Sequence, residues 1–121
     1  MTQSAFQFSH HKLEAYRVAR QVAVAAKQVA DEVPRGYRPW AEQLIRAAGS
    51  TVALIGEGAN RYSAAQKRQR FTEARGEAGE VACWVELLDD LGMVAEGRAR
   101  PLLRQCDRLC GMLTGLIKRW R

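Results

Sequence analysis

The 121-residue sequence predicts an all-α protein. In four successive segments, apolar residues recur at steps of three and four, which is the period of one helix face. Aromatic residues make up only 7% of the chain, and this composition disfavours a sheet built from large side chains. The connections between the segments are short, so neighbouring helices should run antiparallel. We therefore expect an antiparallel up-down-up-down four-helix bundle over residues 12–121, preceded by an N-terminal tail over residues 1–11.

The first helix should begin after Ser9, a suitable N-cap residue, and end before Pro34. Its predicted core positions follow steps of three and four. They are Leu13, Tyr16, Ala19, Ala23, Ala26, Ala30 and Val33.

The second helix should begin near Pro39, because proline is tolerated in a first helical turn. Two apolar stripes lie side by side along it, so it should be buried on more than one side. One stripe contains Trp40, Leu44, Ala47, Thr51 and Leu54, and the other contains Ala41, Ile45, Ala48, Val52 and Ile55. The segment from Gly58 to Tyr62 is expected to interrupt the helical pattern.

The third helix should open on a capping box formed by Ser63 and Gln66 and should stop at Gly92. Its seam repeats as a heptad. The seam residues are Phe71, Ala74, Ala78, Val81, Val85 and Leu88. Gly76 and Gly79 each cost about 1 kcal/mol relative to alanine. We expect a closely approaching neighbour helix to offset this cost, and the alternative is that the helix simply tolerates it.

The fourth helix carries the most regular seam, flanked by Leu103, Cys110 and Ile117. Its seam residues are Leu102, Cys106, Leu109, Leu113, Leu116 and Trp120. Pro101 fits only a first helical turn, so the start of this helix, near Arg98, stays open at this point.

The positive charge is concentrated in the fourth segment. The whole chain has a formal charge of +6, and residues 98–121 hold seven basic residues against Asp107 alone. Such a segment is typical of an Arg-rich solvated helix face, and equally of a surface that contacts a polyanion. The candidate nucleic-acid contacts are Arg98, Arg100, Arg104, Arg108 and Lys118.

No pattern in the sequence predicts catalysis, a cofactor or a metal site. His10 and His11 are adjacent near the chain start, and no Ser, Cys or carboxylate is spaced to orient them. Cys106 and Cys110 supply two ligands, whereas a structural zinc site needs four. We therefore expect a protein that is not an enzyme and binds no cofactor.

The expected location is the cytoplasm. Residues 1–8 lack the basic and apolar regions of a secretory signal, and the longest uncharged run is too short to span a membrane. In that compartment the three cysteines should be reduced.

Two features suggest contacts beyond a single bundle. Glu57 lies at the end of the second helix, where its charge is unfavourable without a partner. Arg46 is about 16 Å away along the same helix, so Glu57 should be solvated, capped by the turn, or paired with Arg46 or Arg61 of another helix or subunit. A second apolar stripe on the third helix either widens the core or forms an interface. Its residues are Trp84, Leu87 and Leu91.

Several of these segments resemble a known family. The shared positions are Leu13 to Tyr16, Gln43 to Ala48, Ser50, Ile55, Glu57, Gly58, Arg61, Ser63, Phe71, Ala74, Gly76, Glu80, Leu91, Gly92, Met112, Leu113, Leu116 and Ile117. They resemble the bacterial four-helix bundle proteins encoded in intervening sequences of 23S rRNA genes. The resemblance covers residues 12–120 and is most specific between Gln43 and Ser63.

The resemblance implies an antiparallel four-helix bundle that assembles as a homopentamer and has no known enzymatic activity. We expect such an assembly to serve as a scaffold or as an interaction module with a protein partner. A related branch is similar to the accessory protein of diversity-generating retroelements, and it implies an alternative, a basic oligomer that binds RNA or DNA beside a reverse transcriptase or rRNA. The residues assigned to the oligomer interface or family motif are Arg46, Ile55, Glu57, Gly58, Arg61, Trp84, Leu87 and Leu91. One departure is that Val52, Ala53 and Leu54 stand where the family usually has a Pro-Ser-Asn sequence.

Overall fold

The computed structural model describes residues 7–121 and contains four long helices. They are α1 (Glu14–Asp31), α2 (Arg38–Asn60), α3 (Ala64–Asp90) and α4 (Ala99–Arg119). Two 3-10 helices, Ser9–Lys12 and Arg35–Tyr37, lie before α1 and in the α1–α2 connection. The described residues form no strand, and the predicted all-α class is confirmed.

Contacts between helices show that each helix runs antiparallel to the next. Arg70 near the start of α3 reaches Glu57 near the end of α2, while Trp84 packs on Trp40 at the other end of the same pair. Between α1 and α4, Glu14 meets Arg108 and Glu32 meets Arg98. Arg68 of α3 meets Trp120 at the end of α4, and Arg75 meets Thr114, so α3 and α4 are antiparallel as well. The four helices therefore close into an up-down-up-down ring in which α1 and α4 are neighbours.

Small side chains dominate the inner surfaces of α1 and α2. Alanines that are at most 3% exposed line these helices. They are Ala15, Ala19, Ala26 and Ala30 of α1 and Ala41, Ala47 and Ala48 of α2. Larger side chains from α3 and α4 fill the space between, and the predicted seam residues Phe71, Val81, Val85, Leu88, Leu109 and Leu113 are all at most 1% exposed.

The start of α1 differs from the prediction. Ser9 opens the 3-10 helix instead of capping α1, because the extended backbone of Leu13 separates the two elements. The core face of α1 is also rotated from the predicted seam, since Val18, Val22 and Val29 are buried whereas Leu13, Tyr16 and Ala23 are only partly covered. Residues 7–11 of the predicted tail thus include ordered structure. Residues 1–6, and with them most of the expectation about a secretory signal, lie outside the described residues.

The end of α2 was also placed too early by the sequence pattern. The helix continues through Gly58 to Asn60, and the interruption is only residues 61–63. Side chains stabilise the carbonyl groups of the last turn, since Lys67 Nζ donates to Ala59 O (2.9 Å) and Asn60 Nδ2 donates to Gly56 O (2.8 Å). Ser63 caps α3 as predicted, because its hydroxyl accepts a hydrogen bond from the Gln66 amide.

Close packing against a glycine occurs at Gly58, not at the predicted Gly76 and Gly79. A Cβ atom on Gly58 would lie 2.7 Å from the ring of Phe71, the largest fully buried side chain. No atom lies within 4 Å of a Cβ placed on Gly76 or Gly79. The expectation that a neighbour helix of the same chain offsets these two glycines is therefore wrong, because both face away from the core.

The α3–α4 connection depends on two glycines with left-handed backbone conformations. Gly92 (φ +73°) ends α3 as predicted, and Gly97 (φ +84°) precedes α4. Helix α4 begins at Ala99, so Pro101 lies in its first turn. Leu116 and Trp120, both predicted in the seam, are only partly buried and pack against the edge of the core. Among residues 7–121, no helix combines the length and apolar character required to cross a bilayer.

Substitution by alanine should change the free energy of unfolding in opposite directions at Gly58 and Gly76. Gly58→Ala should lower the free energy of unfolding, because the new methyl group displaces the Phe71 ring, and overpacking of this kind costs about 1–3 kcal/mol. Gly76→Ala should raise it by about 0.5–1 kcal/mol, because the site has room and alanine is the better helix former. Urea denaturation of both variants checks this, and a stabilised Gly58→Ala variant would contradict the packing described.

Candidate interaction surfaces

Arg46 of α2 joins two carboxylates of α3. Its guanidinium lies 3.2 Å from Glu77 Oε2 and 2.5 Å from Glu80 Oε2. The hydrogen bond from Arg46, together with one from Trp84 Nε1 (3.1 Å), lowers the pKa of Glu80. The group is exposed to solvent, so its main effect is to fix the positions of these side chains instead of adding much stability.

Beside this ion-pair group lies a row of apolar side chains, here called the α2–α3 face. Trp84 packs against Trp40 with 6.1 Å between ring centroids, and both rings are partly exposed. Leu87 and Leu91 are 39% and 47% exposed. The face is defined by Trp40, Trp84, Leu87 and Leu91.

Six of the eight predicted interface or motif residues separate into two groups, while Glu57 and Arg61 are exposed at the end of α2 and in the turn that follows. Arg46, Trp84, Leu87 and Leu91 lie at the surface along the α2–α3 face, where a second molecule can reach them. Ile55 and Gly58 are buried within the bundle, so they support the fold and are unavailable to a partner.

Glu57 is paired within the chain. Arg70 Nε of α3 lies 3.2 Å from Glu57 Oε2, and Arg70 also contacts Glu73. The partner is thus neither Arg46 nor Arg61, the two residues suggested by sequence. Because α2 and α3 are antiparallel across a three-residue turn, the second turn of α3 lies opposite the last turn of α2.

The candidate nucleic-acid contacts of α4 also separate into two groups. Arg98 pairs with Glu32 (3.2 Å) and Arg108 with Glu14 (3.3 Å), so both bridge α4 to α1. Arg100, Arg104 and Lys118 are exposed and take part in none of the ion pairs found among residues 7–121. These three residues, which share the outward side of α4, are called the α4 basic face.

A basic junction ties three helix ends together. Lys67 Nζ lies 5.1 Å from the centroid of the Trp120 ring, while it also donates to Ala59 O at the end of α2. Arg68 Nη1 donates to Trp120 O at 2.9 Å. The first turn of α3 therefore holds both the end of α2 and the end of α4, and cations at helix C-termini are favourable.

The sequence suggested no partner for His10 and His11, but the fold gives each of them a hydrogen bond. Asn60 Nδ2 lies 2.9 Å from His10 Nδ1, and the His10 ring packs on Tyr16 at 4.6 Å between centroids. An amide nitrogen only donates, so His10 Nδ1 is the acceptor and its proton resides on Nε2. Burial, then the neighbouring His11 and Arg20, lower the pKa of His10. No local pattern links residues 10 and 60, so only the tertiary fold reveals this contact.

The cysteines form no obvious reactive site. Cys83, Cys106 and Cys110 are free thiols, and burial raises the pKa of Cys106 to about 12. A thiol with that pKa is almost wholly protonated at neutral pH and is a poor nucleophile. Within residues 7–121, no three His, Cys, Asp or Glu side chains converge to hold a metal ion.

The attachment of the 3-10 helix should depend on pH. A lowered His10 pKa means that the attached segment binds fewer protons than the detached one, so attachment is strongest above pH 6.5 and weakens as the pH falls below it. The side-chain amide signals of Asn60 in an NMR titration should report this change. His10→Phe should remove the pH response and His11→Phe should keep it; an unchanged response in His10→Phe would contradict the assignment.

Comparison with known proteins gives a family match and a solved structure with a similar fold. A family model for the 23S rRNA-intervening sequence protein matches residues 11–115, which is most of the chain. Among solved structures, the chain is similar to a protein of unknown function from the S23 ribosomal protein family of Bacteroides thetaiotaomicron VPI-5482. The TM-score is 0.78 at 20% sequence identity, with 86% of this chain and 95% of that chain covered. The search against curated proteins gave no match. The match over residues 11–115 assigns the chain to the 23S rRNA-intervening sequence protein family.

Proposed function

We propose that this protein is a non-enzymatic scaffold that self-associates through the α2–α3 face, as a homopentamer, and presents its remaining surface to a protein partner. The observation that carries the proposal is the cluster of large apolar side chains left exposed on this face. Leu87 and Leu91 expose 39% and 47% of their surface beside two partly exposed tryptophans. The number five rests on the family resemblance described above.

The composition of the α2–α3 face suits an interface between proteins. Interfaces are enriched in tryptophan and arginine, whose large side chains contribute most of the binding energy. Trp40, Trp84 and Arg46 occur together here. The ion pairs of Arg46 with Glu77 and Glu80 fix Arg46, and a hydrogen bond to Glu80 fixes Trp84, before binding. A surface fixed in advance loses less conformational entropy when it associates.

Replacement of Leu87 and Leu91 by lysine should disrupt self-association. Light scattering of the wild type at tens of micromolar should give a mass several times that of the 13.5 kDa chain. The double variant Leu87→Lys, Leu91→Lys should give a smaller mass with unchanged helical circular dichroism, because charges on this face oppose its burial.

Val24→Lys is the matched control, because Val24 is a 56% exposed apolar residue on α1, away from the α2–α3 face. It should keep the wild-type mass. A wild type that is monomeric at this concentration would refute the proposal.

A second candidate function is binding of RNA or DNA by the α4 basic face. Arg100, Arg104 and Lys118 favour it, because they are exposed and outside the ion pairs of the described chain. Arginine suits phosphate recognition, since its planar guanidinium makes two parallel hydrogen bonds to oxygen atoms. Contacts of this kind are insensitive to base sequence.

The triple variant Arg100→Ala, Arg104→Ala, Arg108→Ala tests this second function. Fluorescence anisotropy with a labelled duplex should show weaker binding and a shallower salt dependence, by about 0.9 in the log-log slope for each phosphate that the variant no longer neutralises. Without Arg108, Glu14 keeps Arg17 as its remaining partner, so the fold should persist. Equal affinity and slope in the variant and the wild type would exclude the α4 basic face as the site.

A further inference from the structure

Six cationic side chains gather at one end of the bundle. The turn between α2 and α3, the first turn of α3 and the end of α4 meet there, in residues 61–68 and 118–121. These two ranges contain no Asp or Glu. The cations are Arg61, Lys67, Arg68, Lys118, Arg119 and Arg121. We call residues 61–68 and 118–121 the basic end.

Direct contacts establish that the two ranges form one surface. Arg68 Nη1 donates to Trp120 O at 2.9 Å, and Lys67 Nζ lies 5.1 Å from the centroid of the Trp120 ring. The guanidinium of Arg119 lies 5.3 Å from the same ring centroid. The basic side chains of α3 and α4 therefore surround a half-buried indole.

The carboxylates at this end of the bundle already have guanidinium partners. Glu57 pairs with Arg70, and Arg70 also holds Glu73. Glu14, the first residue of α1, contacts both Arg17 and Arg108. The positive field at the basic end is thus not neutralised by these acids, and a site of this kind attracts a polyanion.

An exposed aromatic ring stands within this positive surface. Tyr62 is 101% exposed, which means that the folded chain covers none of its side chain. It lies between Arg61 and Ser63 in the three-residue turn, so the ring has no role in packing the bundle. An uncovered aromatic ring beside arginines is the pair of features that binds unpaired nucleobases, by stacking on the base while cations contact the phosphates.

We propose that the basic end binds single-stranded nucleic acid, with Tyr62 stacking on an unpaired base and Arg61, Lys118 and Arg121 contacting the flanking phosphates. The site shares Lys118 with the α4 basic face, but Arg100 and Arg104 of that face lie in the first two turns of α4, at the opposite end of the bundle. This proposal gives the protein a preference for unpaired strands. Phosphate contacts at the α4 basic face would not distinguish an unpaired strand from a duplex.

The exposed ring favours a single strand over a duplex or an acidic peptide. In a duplex the faces of the bases are stacked on one another and closed to an approaching ring, whereas an unpaired base presents its face. An acidic peptide would satisfy the arginines but would make no use of an aromatic ring that protrudes into solvent. The combination of charge and ring therefore selects the unpaired strand.

The test measures fluorescence anisotropy of the full chain with two labelled probes, an oligouridine of about 20 nucleotides and a duplex of equal length. Tyr62→Ala should weaken binding of the oligouridine by about 5- to 150-fold, the range expected when one base no longer stacks on an aromatic ring. Tyr62→Phe should keep near wild-type affinity, because the ring remains. Neither change should alter duplex binding beyond about twofold.

Tyr37→Ala is the matched control, since Tyr37 is a 41% exposed tyrosine at the other end of the bundle. It should bind the oligouridine like the wild type, with both chains showing equal helicity. Unchanged oligouridine binding by Tyr62→Ala, an equal loss on the duplex, or no binding of oligouridine by the wild type at low salt would each overturn the proposal.

The Arg100, Arg104, Arg108 triple variant separates this proposal from the function proposed for the α4 basic face. Oligouridine binding that survives the triple variant but not Tyr62→Ala supports the basic end even where the α4 basic face fails. Binding abolished in the triple variant and kept in Tyr62→Ala shows that the α4 basic face acts and that the basic end does not.

Discussion

Close approach of α1 and α2 to their neighbours, made possible by buried alanines and by Gly58, is the constraint on which the rest of the structure depends. The distance between packed helices follows the size of the side chains at their contact. Alanine at positions such as Ala19, Ala26 and Ala47 lets the backbones come near one another, and Gly58 leaves room for the Phe71 ring. Larger side chains such as Phe71, Leu88 and Leu113 fill the space that remains between the backbones. Trp40, Trp84, Leu87 and Leu91 lie on the outer side of α2 and α3, where they form the α2–α3 face.

Ion pairs between helices determine where the charged surfaces lie. Counted along the sequence, the positive excess belongs to residues 98–121, but the fold redistributes it. Arg98 and Arg108 form ion pairs with Glu32 and Glu14 at the two ends of α1. Fewer arginines therefore remain unpaired on the α4 basic face. At the same time, the antiparallel topology brings the start of α3 beside the end of α4, and the basic end arises from two ranges that lie far apart in the sequence.

The periodic parts of the fold were predictable from sequence, because a helix buries positions that recur every three or four residues. The seam of α3 from Phe71 to Leu88, the Ser63 cap and the Gly92 stop follow from such local rules. The side-chain contacts between helices could not be predicted from these local rules. The pairing of Glu57 with Arg70 and of Asn60 with His10 depends on how far each helix is rotated about its own axis. That rotation is set by the packing of all four helices together, so no single segment encodes it. The rotated core face of α1 and the open space around Gly76 have the same origin.

The central claim is that the chain self-associates by burying the apolar side chains exposed on the α2–α3 face. Equilibrium unfolding in urea at two protein concentrations, about 1 and about 100 µM, tests it most directly, because association stabilises a folded chain by mass action. For a pentamer, this hundredfold increase should raise the apparent free energy of unfolding by about 2 kcal/mol per chain and shift the midpoint to higher urea. A midpoint that is the same at both concentrations, for a chain that is monomeric at each, would contradict the account.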